Sequence, residues 1–165
     1  MLVSSALAGC GAPAQRRPPE LGLAASLLPN LGLAGSLSLP LRTANPWRFE
    51  ARFTDQFLDD KSFADDGNPA AGNWTQLDLG LLRLSCWEES RAWSVRFGLV
   101  GFEARGEPNL VDEAGDYVGI YGGLGRFWRF GRGFAFGPEI TLVAATGPDP
   151  FTLFPQLTWG LRWTP

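Results

Sequence analysis

Residues Tyr117 to Thr146 read YVGIYGGLGRFWRFGRGFAFGPEITLVAAT. Two runs of alternating residues flank Gly131-Arg132-Gly133, a tight-turn signal between strands. In the first run Val118, Ile120, Leu124, Trp128 and Phe130 share one face, and Gly119, Tyr121, Gly123, Gly125 and Arg129 share the other. In the second, Phe134, Phe136, Ile140, Leu142 and Ala144 oppose Ala135, Gly137, Glu139 and Thr141. Side chains alternate across a strand, so period-two patterning over this length specifies strands rather than helices. Each run is about a dozen residues, longer than the ~5–6 of an ordinary strand and near the ~9–11 that cross a bilayer at a tilt.

The same alternation recurs along the rest of the chain. Leu21, Leu23, Ala25 and Leu27 oppose Gly22, Ala24 and Ser26; beyond Pro29-Asn30, Leu31, Leu33, Leu37 and Leu39 oppose Gly32, Ala34, Ser36 and Ser38. Trp47, Phe49, Ala51 and Phe53 alternate with Arg48, Glu50, Arg52 and Thr54. Leu77, Leu79 and Leu81 alternate with Gln76, Asp78 and Gly80, and the doubled Leu81-Leu82 predicts a bulge that returns Arg83 and Ser85 to the polar side. Trp93, Val95, Phe97 and Leu99 oppose Ser94, Arg96 and Gly98, and Leu157, Trp159, Leu161 and Trp163 oppose Gln156, Thr158, Gly160 and Arg162. This predicts an all-β chain of about eight strands over 20–165, preceded by a leader and proline-rich linker over 1–19. Turns are short at Thr43–Pro46, Glu88–Arg91 and Gly131–Gly133. Connections are long at Asp59–Asn73 and Arg105–Asp116, with Pro29-Asn30 and Gly147–Pro150 short on that same end. Pro40, Pro138 and Pro155 fall within predicted strands, where a missing N–H is tolerated at a bulge or a rim.

Composition narrows the class. The 165 residues include 21 glycines and 13 prolines, as a turn-rich β chain requires, and the net charge of −3 offers no basic face to nucleic acid. Lys61 is the only lysine; all other cations are arginines, which suit ion pairs in a crowded polar space better than a water-facing sheet. No apolar run reaches the 18 residues of a membrane helix, which leaves a membrane barrel open.

Two closed up-and-down barrels fit eight alternating strands. A soluble lipocalin-like barrel turns its apolar face inward around a hydrophobic ligand; a transmembrane barrel turns it to lipid and fills its interior with the polar face. Here the polar face mixes many glycines, alanines and serines with Arg48, Glu50, Arg52, Asp78, Arg83, Arg96, Arg129, Glu139 and Arg162. Small residues make room for large charged ones inside a narrow barrel, whereas a solvated face has no such limit. Trp47, Trp93, Trp128, Phe130, Phe134, Phe136 and Trp163 lie near short turns on the apolar face, where a lipid-interface girdle belongs. These features favour the transmembrane barrel.

In this pattern the chain resembles the small eight-stranded outer-membrane barrels of Gram-negative bacteria. The resemblance implies outer-membrane localisation, lipid as the surrounding partner, and insertion by the barrel-assembly machinery. That machinery reads a terminal aromatic preceded by alternating apolar residues; Leu157, Trp159, Leu161 and Trp163 supply the alternation, but Thr164-Pro165 follows. Leu7-Ala8-Gly9-Cys10 resembles a lipoprotein lipobox, which would make Cys10 the lipidation site. Ala6-Leu7-Ala8 also reads as an ordinary export cleavage site.

No constellation points to catalysis. The chain has no histidine, so no side chain has an unperturbed pKa suited to general-base work near neutrality. The barrel lipid enzymes of this size class resemble one another in pairing histidine with serine. His or Cys clusters for a metal are absent, and Asp59, Asp60, Asp65 and Asp66 do not have the spacing of a calcium loop. The expectation is a non-enzymatic envelope barrel without cofactor or metal, with a structural or interaction role. The alternatives are the soluble ligand-binding barrel and a minor pore.

Overall fold

The computed structural model describes residues 18–28, 31–41, 47–56, 73–84, 91–105, 115–131 and 133–165. Cys10, Cys86 and the acidic aspartates of 57–72 lie outside them. Eight antiparallel strands close on themselves in sequence order: β1 (Glu20–Leu28), β2 (Gly32–Pro40), β3 (Trp47–Gln56), β4 (Asn73–Leu84), β5 (Arg91–Arg105), β6 (Gly115–Phe130), β7 (Phe134–Thr146) and β8 (Thr152–Trp163). Closure pairs β1 with β8 from Leu21↔Trp163 to Leu28↔Leu157, with one irregularity between Ser26 and Leu28. The sheet therefore has no free edge along its length.

The turn at the centre of the organising stretch works as its glycines require. Gly131 and Gly133 have φ of 61° and 81°, values that side-chain-bearing residues rarely adopt, and Phe130 pairs with Phe134 across the turn. Thr164 N–H donates to the Gly133 carbonyl at 2.8 Å, tying the end of β8 to this turn.

The phase of the strands puts an apolar face outside and the buried charges inside. Leu23, Leu33, Leu99, Val118, Ile120 and Ile140 are all more than half exposed, whereas Glu50, Asp78 and Arg96 are at most 1% exposed. A soluble ligand-binding barrel would need the reverse, so that alternative is overturned. On β5 the apolar exterior begins after Arg91 and ends before Glu103. At ~3.4 Å per residue and a tilt of ~40°, these two outward charges stand roughly 30 Å apart along the barrel axis, enough to flank an apolar band of ~25 Å.

Two expectations about register need correction. The β4 ladder runs unbroken from Trp47↔Arg83 to Gln56↔Trp74 on one side and from Asn73↔Arg105 to Leu84↔Ser94 on the other. There is no bulge at Leu81-Leu82: Leu82 points inward, fully buried opposite Arg48 and Arg96, and Arg83 points outward. The interior accepts this leucine because it lies against neighbouring arginine residues, whose stems are apolar.

The three strand prolines are placed in different ways. Pro40 is the last residue of β2, where a ladder ends. Pro155 lies beyond Leu157, the last β8 residue paired to β1. Pro138 sits mid-strand, and the β6–β7 pairing skips from Gly125↔Glu139 to Trp128↔Phe136 without a change of register. The lost donor thus leaves a local gap in the ladder rather than a bulge.

Candidate functional site: the barrel interior

The interior is built in two layers. The lower, toward the short turns, the start of β1 and the end of β8, is ionic. Arg96 on β5 is its hub: Nη2 meets Asp78 at 2.8 Å, Nη1 meets Glu139 at 2.9 Å, and Nε lies 3.2 Å from Glu50. Arg52 on β3 donates to Glu139 at 2.6 Å. Arg162 on β8 reaches Glu20 at 2.9 Å, and Glu50 and Glu139 at 3.3 Å each. Arg48 donates to the Ser38 hydroxyl at 2.9 Å and to the Pro18 carbonyl at 2.6 Å, joining the segment before β1 to the wall. Six strands contribute to the Arg96–Glu139–Arg162 web, so it links the wall across the barrel axis.

Small residues on the same face provide the space. A Cβ on Gly123 would stand 2.7 Å from Thr141 Oγ1 and 3.1 Å from Arg96 Cγ. The guanidinium groups also stack on rings: Arg96 Cζ lies 4.6 Å from the Tyr121 centroid and Arg162 Cζ 4.9 Å from that of Phe127. Phe127 is 2% exposed and fills the interior at the short-turn end.

The upper layer, toward the long connections, is aromatic. Trp74 stacks on Phe102 with centroids 4.2 Å apart, and Phe102 stacks on Tyr117 at 4.8 Å. Phe154 closes on Trp74 edge-on at 4.7 Å. Val100, Ala104, Tyr121, Val143 and Ala145 complete this cluster. Between the layers Gln76 and Gln156 bond each other across the lumen, at 2.5 Å from Gln156 Nε2 to Gln76 Oε1, and Gln76 Nε2 donates to Asp78 at 2.6 Å. At the rim the Tyr117 hydroxyl donates to Asp149 at 2.8 Å.

Among the described residues the interior leaves a cavity of about 20 Å³ beside Arg52, Glu139 and Arg162, against Gly22, Ala34 and Gly160. That cavity has room for about one water, too little for an apolar ligand. No group of three or more acidic or cysteine side chains among the described residues is arranged to hold a metal.

Seven of the nine residues expected inside are there: Arg48, Glu50, Arg52, Asp78, Arg96, Glu139 and Arg162 are all buried. Arg83 is instead outside, its Cζ 5.8 Å from the Trp47 centroid. Arg129 has the inward phase of β6, but it lies past Phe127 at the barrel mouth and is exposed there. The causes differ: Arg83 follows the unbroken phase of β4 outward, whereas Arg129 has the inward phase but lies at a barrel end, where it reaches water. Glu20 was missed because it precedes the first apolar alternation. The aromatic layer was missed because its residues share the face of the charged ones. Its signal is an inversion past Leu99, where Val100, Phe102 and Ala104 alternate with Gly101, Glu103 and Arg105.

Trp47, Trp93, Trp128, Phe130, Phe134, Phe136 and Trp163 all stand on the exterior at the short-turn end. Phe130, Phe134 and Trp163 stack in a row, with successive centroids 5.8 and 6.3 Å apart.

A closed eight-stranded antiparallel barrel, apolar outside and charged within, has the architecture of the small transmembrane barrels. No protein-family model matches the sequence, and no curated protein is significantly similar to it. Solved structures do share the fold. The N-terminal β-barrel domain of Pseudomonas aeruginosa OprF aligns over 90% of this chain and 98% of its own, at 12% identity and TM-score 0.58. Neisserial surface protein A aligns over 88% and 92%, at 12% identity and TM-score 0.57. The Yersinia pestis outer membrane protein Ail, in a phospholipid bilayer nanodisc, aligns over 89% and 98%, at 9% identity and TM-score 0.57. At these identities the likeness is one of fold.

Proposed function

We propose that the chain is a non-enzymatic barrel of the outer membrane, a sealed scaffold of the cell envelope. Its short turns face the periplasm and its longer connections face outward. The observation that carries this reading is the filled interior. The ionic layer, the glutamine pair and the aromatic layer occupy the lumen in succession, and the cavity beside Arg52, Glu139 and Arg162 holds about one water. Such a lumen supports neither a ligand carrier nor a pore. The absence of histidine from the chain, with Glu50, Asp78 and Glu139 all engaged by arginines, speaks against acid–base catalysis. The role left to the molecule is carried by its outer surface and its connections.

Two measurements on the refolded full chain test this. In detergent it should give a β-type circular dichroism spectrum and a heat-modifiable gel mobility. In planar bilayers it should produce no resolvable single-channel steps. Regular conductance steps that change on substitution of Gln76 or Gln156 would establish a pore instead. Reproducible turnover of phospholipid or lipopolysaccharide lost on Asp78→Asn would establish an enzyme.

A further inference from the structure

The cavity of about 20 Å³ in the ionic layer lies at the seam where β1 meets β8 and closes the barrel. Its wall is polar. Ser36 on β2 and Thr158 on β8 both line it, and neither hydroxyl has a hydrogen-bond partner among the described residues. Thr158 is only 5% exposed, so bulk water does not satisfy it. Arg52 lines the same cavity: its Nη1 donates to Glu139 at 2.6 Å, but its Nη2 is buried without a partner. An unpaired buried donor or acceptor costs free energy, so three of them around one cavity require a further group.

Strand β1 supplies no such group. Its inward residue here is Ala24, and Gly160 stands directly opposite it on β8. A Cβ on Gly160 would come 3.3 Å from the Ala24 methyl, so the space exists because these two residues are small. Charge then decides what fills it. Among the described residues the buried acids Glu20, Glu50, Asp78 and Glu139 equal in number the buried arginines Arg48, Arg52, Arg96 and Arg162. An added anion would leave that interior with uncompensated charge, and a metal ion would face the guanidiniums of Arg52 and Arg162. A neutral molecule that both donates and accepts suits the two hydroxyls, the carboxylate and the guanidinium together. At this volume that molecule is water, which needs about 2–4 polar partners to be held.

We propose that this cavity is a binding site for a single long-lived water, which bonds the Ser36 and Thr158 hydroxyls and the open side of Arg52. The water takes the place of the polar side chain that β1 lacks. It links β2, β3 and β8 across β1 and so fastens the ionic layer to the closing seam. This inference goes beyond the sealed-scaffold reading but rests on its filled lumen.

The full chain, refolded into a phospholipid nanodisc with labelled alanine and valine methyls, is read by NOE and ROE transfer from water. In wild type the Ala24 and Ala34 methyls, which line the cavity, should show cross-peaks at the water frequency. Their NOE and ROE should have opposite signs, as a water that tumbles with the protein gives. The Val100 and Val143 methyls of the aromatic layer should show none. Gly160→Ala should abolish the cross-peaks while keeping both hydroxyls, which separates a bound water from a hydroxyl proton. Thr158→Val keeps the shape and removes one partner. With water bound its urea midpoint should fall; in a dry cavity it should rise, because an unpaired hydroxyl is gone. Silent Ala24 and Ala34 methyls in wild type, cross-peaks retained by Gly160→Ala, or a raised Thr158→Val midpoint would overturn the site. A wild-type midpoint that rises with bromide at constant ionic strength would assign the cavity to an anion and overturn it too. Should Gly160→Ala not fold, the wild-type cross-peaks and Thr158→Val decide. Water contacts that extend to Val100 and Val143 would contradict the sealed lumen, and the single-water site with it.

Discussion

Arg96 concentrates the chemistry of the interior in one side chain. Its three nitrogens address Glu50, Asp78 and Glu139, and it is 1% exposed. A buried charge without a partner costs several kcal/mol, so the partners are mutually dependent. Glu139 is the most shared of them, meeting Arg52, Arg96 and Arg162. Glu139→Ala should therefore destabilise the barrel by about 3–5 kcal/mol, read as a lower urea midpoint for loss of the compact gel form. Asp116→Ala, on the exposed outer surface, should fall within about 0.5 kcal/mol of wild type. Equal small effects from both would mean that the network faces bulk water, where such pairs are worth about 0–1 kcal/mol.

At the scale of the strand, phase is the decisive quantity, and two adjacent glycines of β6 test it. A Cβ on Gly122 meets nothing within 4 Å, whereas one on Gly123 meets Thr141, Ile140 and Arg96 at 2.7–3.1 Å. Gly123→Ala should cost about 1–3 kcal/mol through overpacking. Gly122→Ala should be neutral or stabilise by about 0.4–1 kcal/mol, because alanine has less backbone freedom to lose. Comparable losses from both would place β6 in a different register. Strand phase was also what the sequence made most legible. In the organising hairpin Ile120, Leu124 and Ile140 could be assigned to one face because each has a small or polar neighbour on either side. At Leu81-Leu82 that contrast vanishes, and two leucines in succession look like a slipped register. Only pairing to both β3 and β5 shows that Leu82 is inside.

For the whole molecule, the order of layers matters more than any single contact. The buried ionic residues were legible because a charge on a strand of spanning length has only the interior to occupy. The aromatic layer was not, because Phe102 and Trp74 share the phase of the charged residues, and a layer of rings on that face shows only once the height of each along the barrel is known. Opening the lumen should need removal of a layer. Trp74→Ala/Phe102→Ala should lower stability by several kcal/mol through the cavity left behind, yet the ionic layer should keep the barrel non-conducting in planar bilayers. A conducting variant would show that the aromatic layer alone forms the seal.

The architecture sets the apolar face against lipid and fills the barrel with the charged face. It is tested most directly without any substitution, by methyl-labelled NMR of the chain in a phospholipid nanodisc. Cross-peaks from acyl-chain protons should reach the methyls of Leu99, Ile120 and Leu142, which stand exposed on the outer wall, and should be absent from Leu82, Val100 and Val143 within. Acyl-chain contacts to Leu82, Val100 and Val143, with none to the outer set, would contradict it.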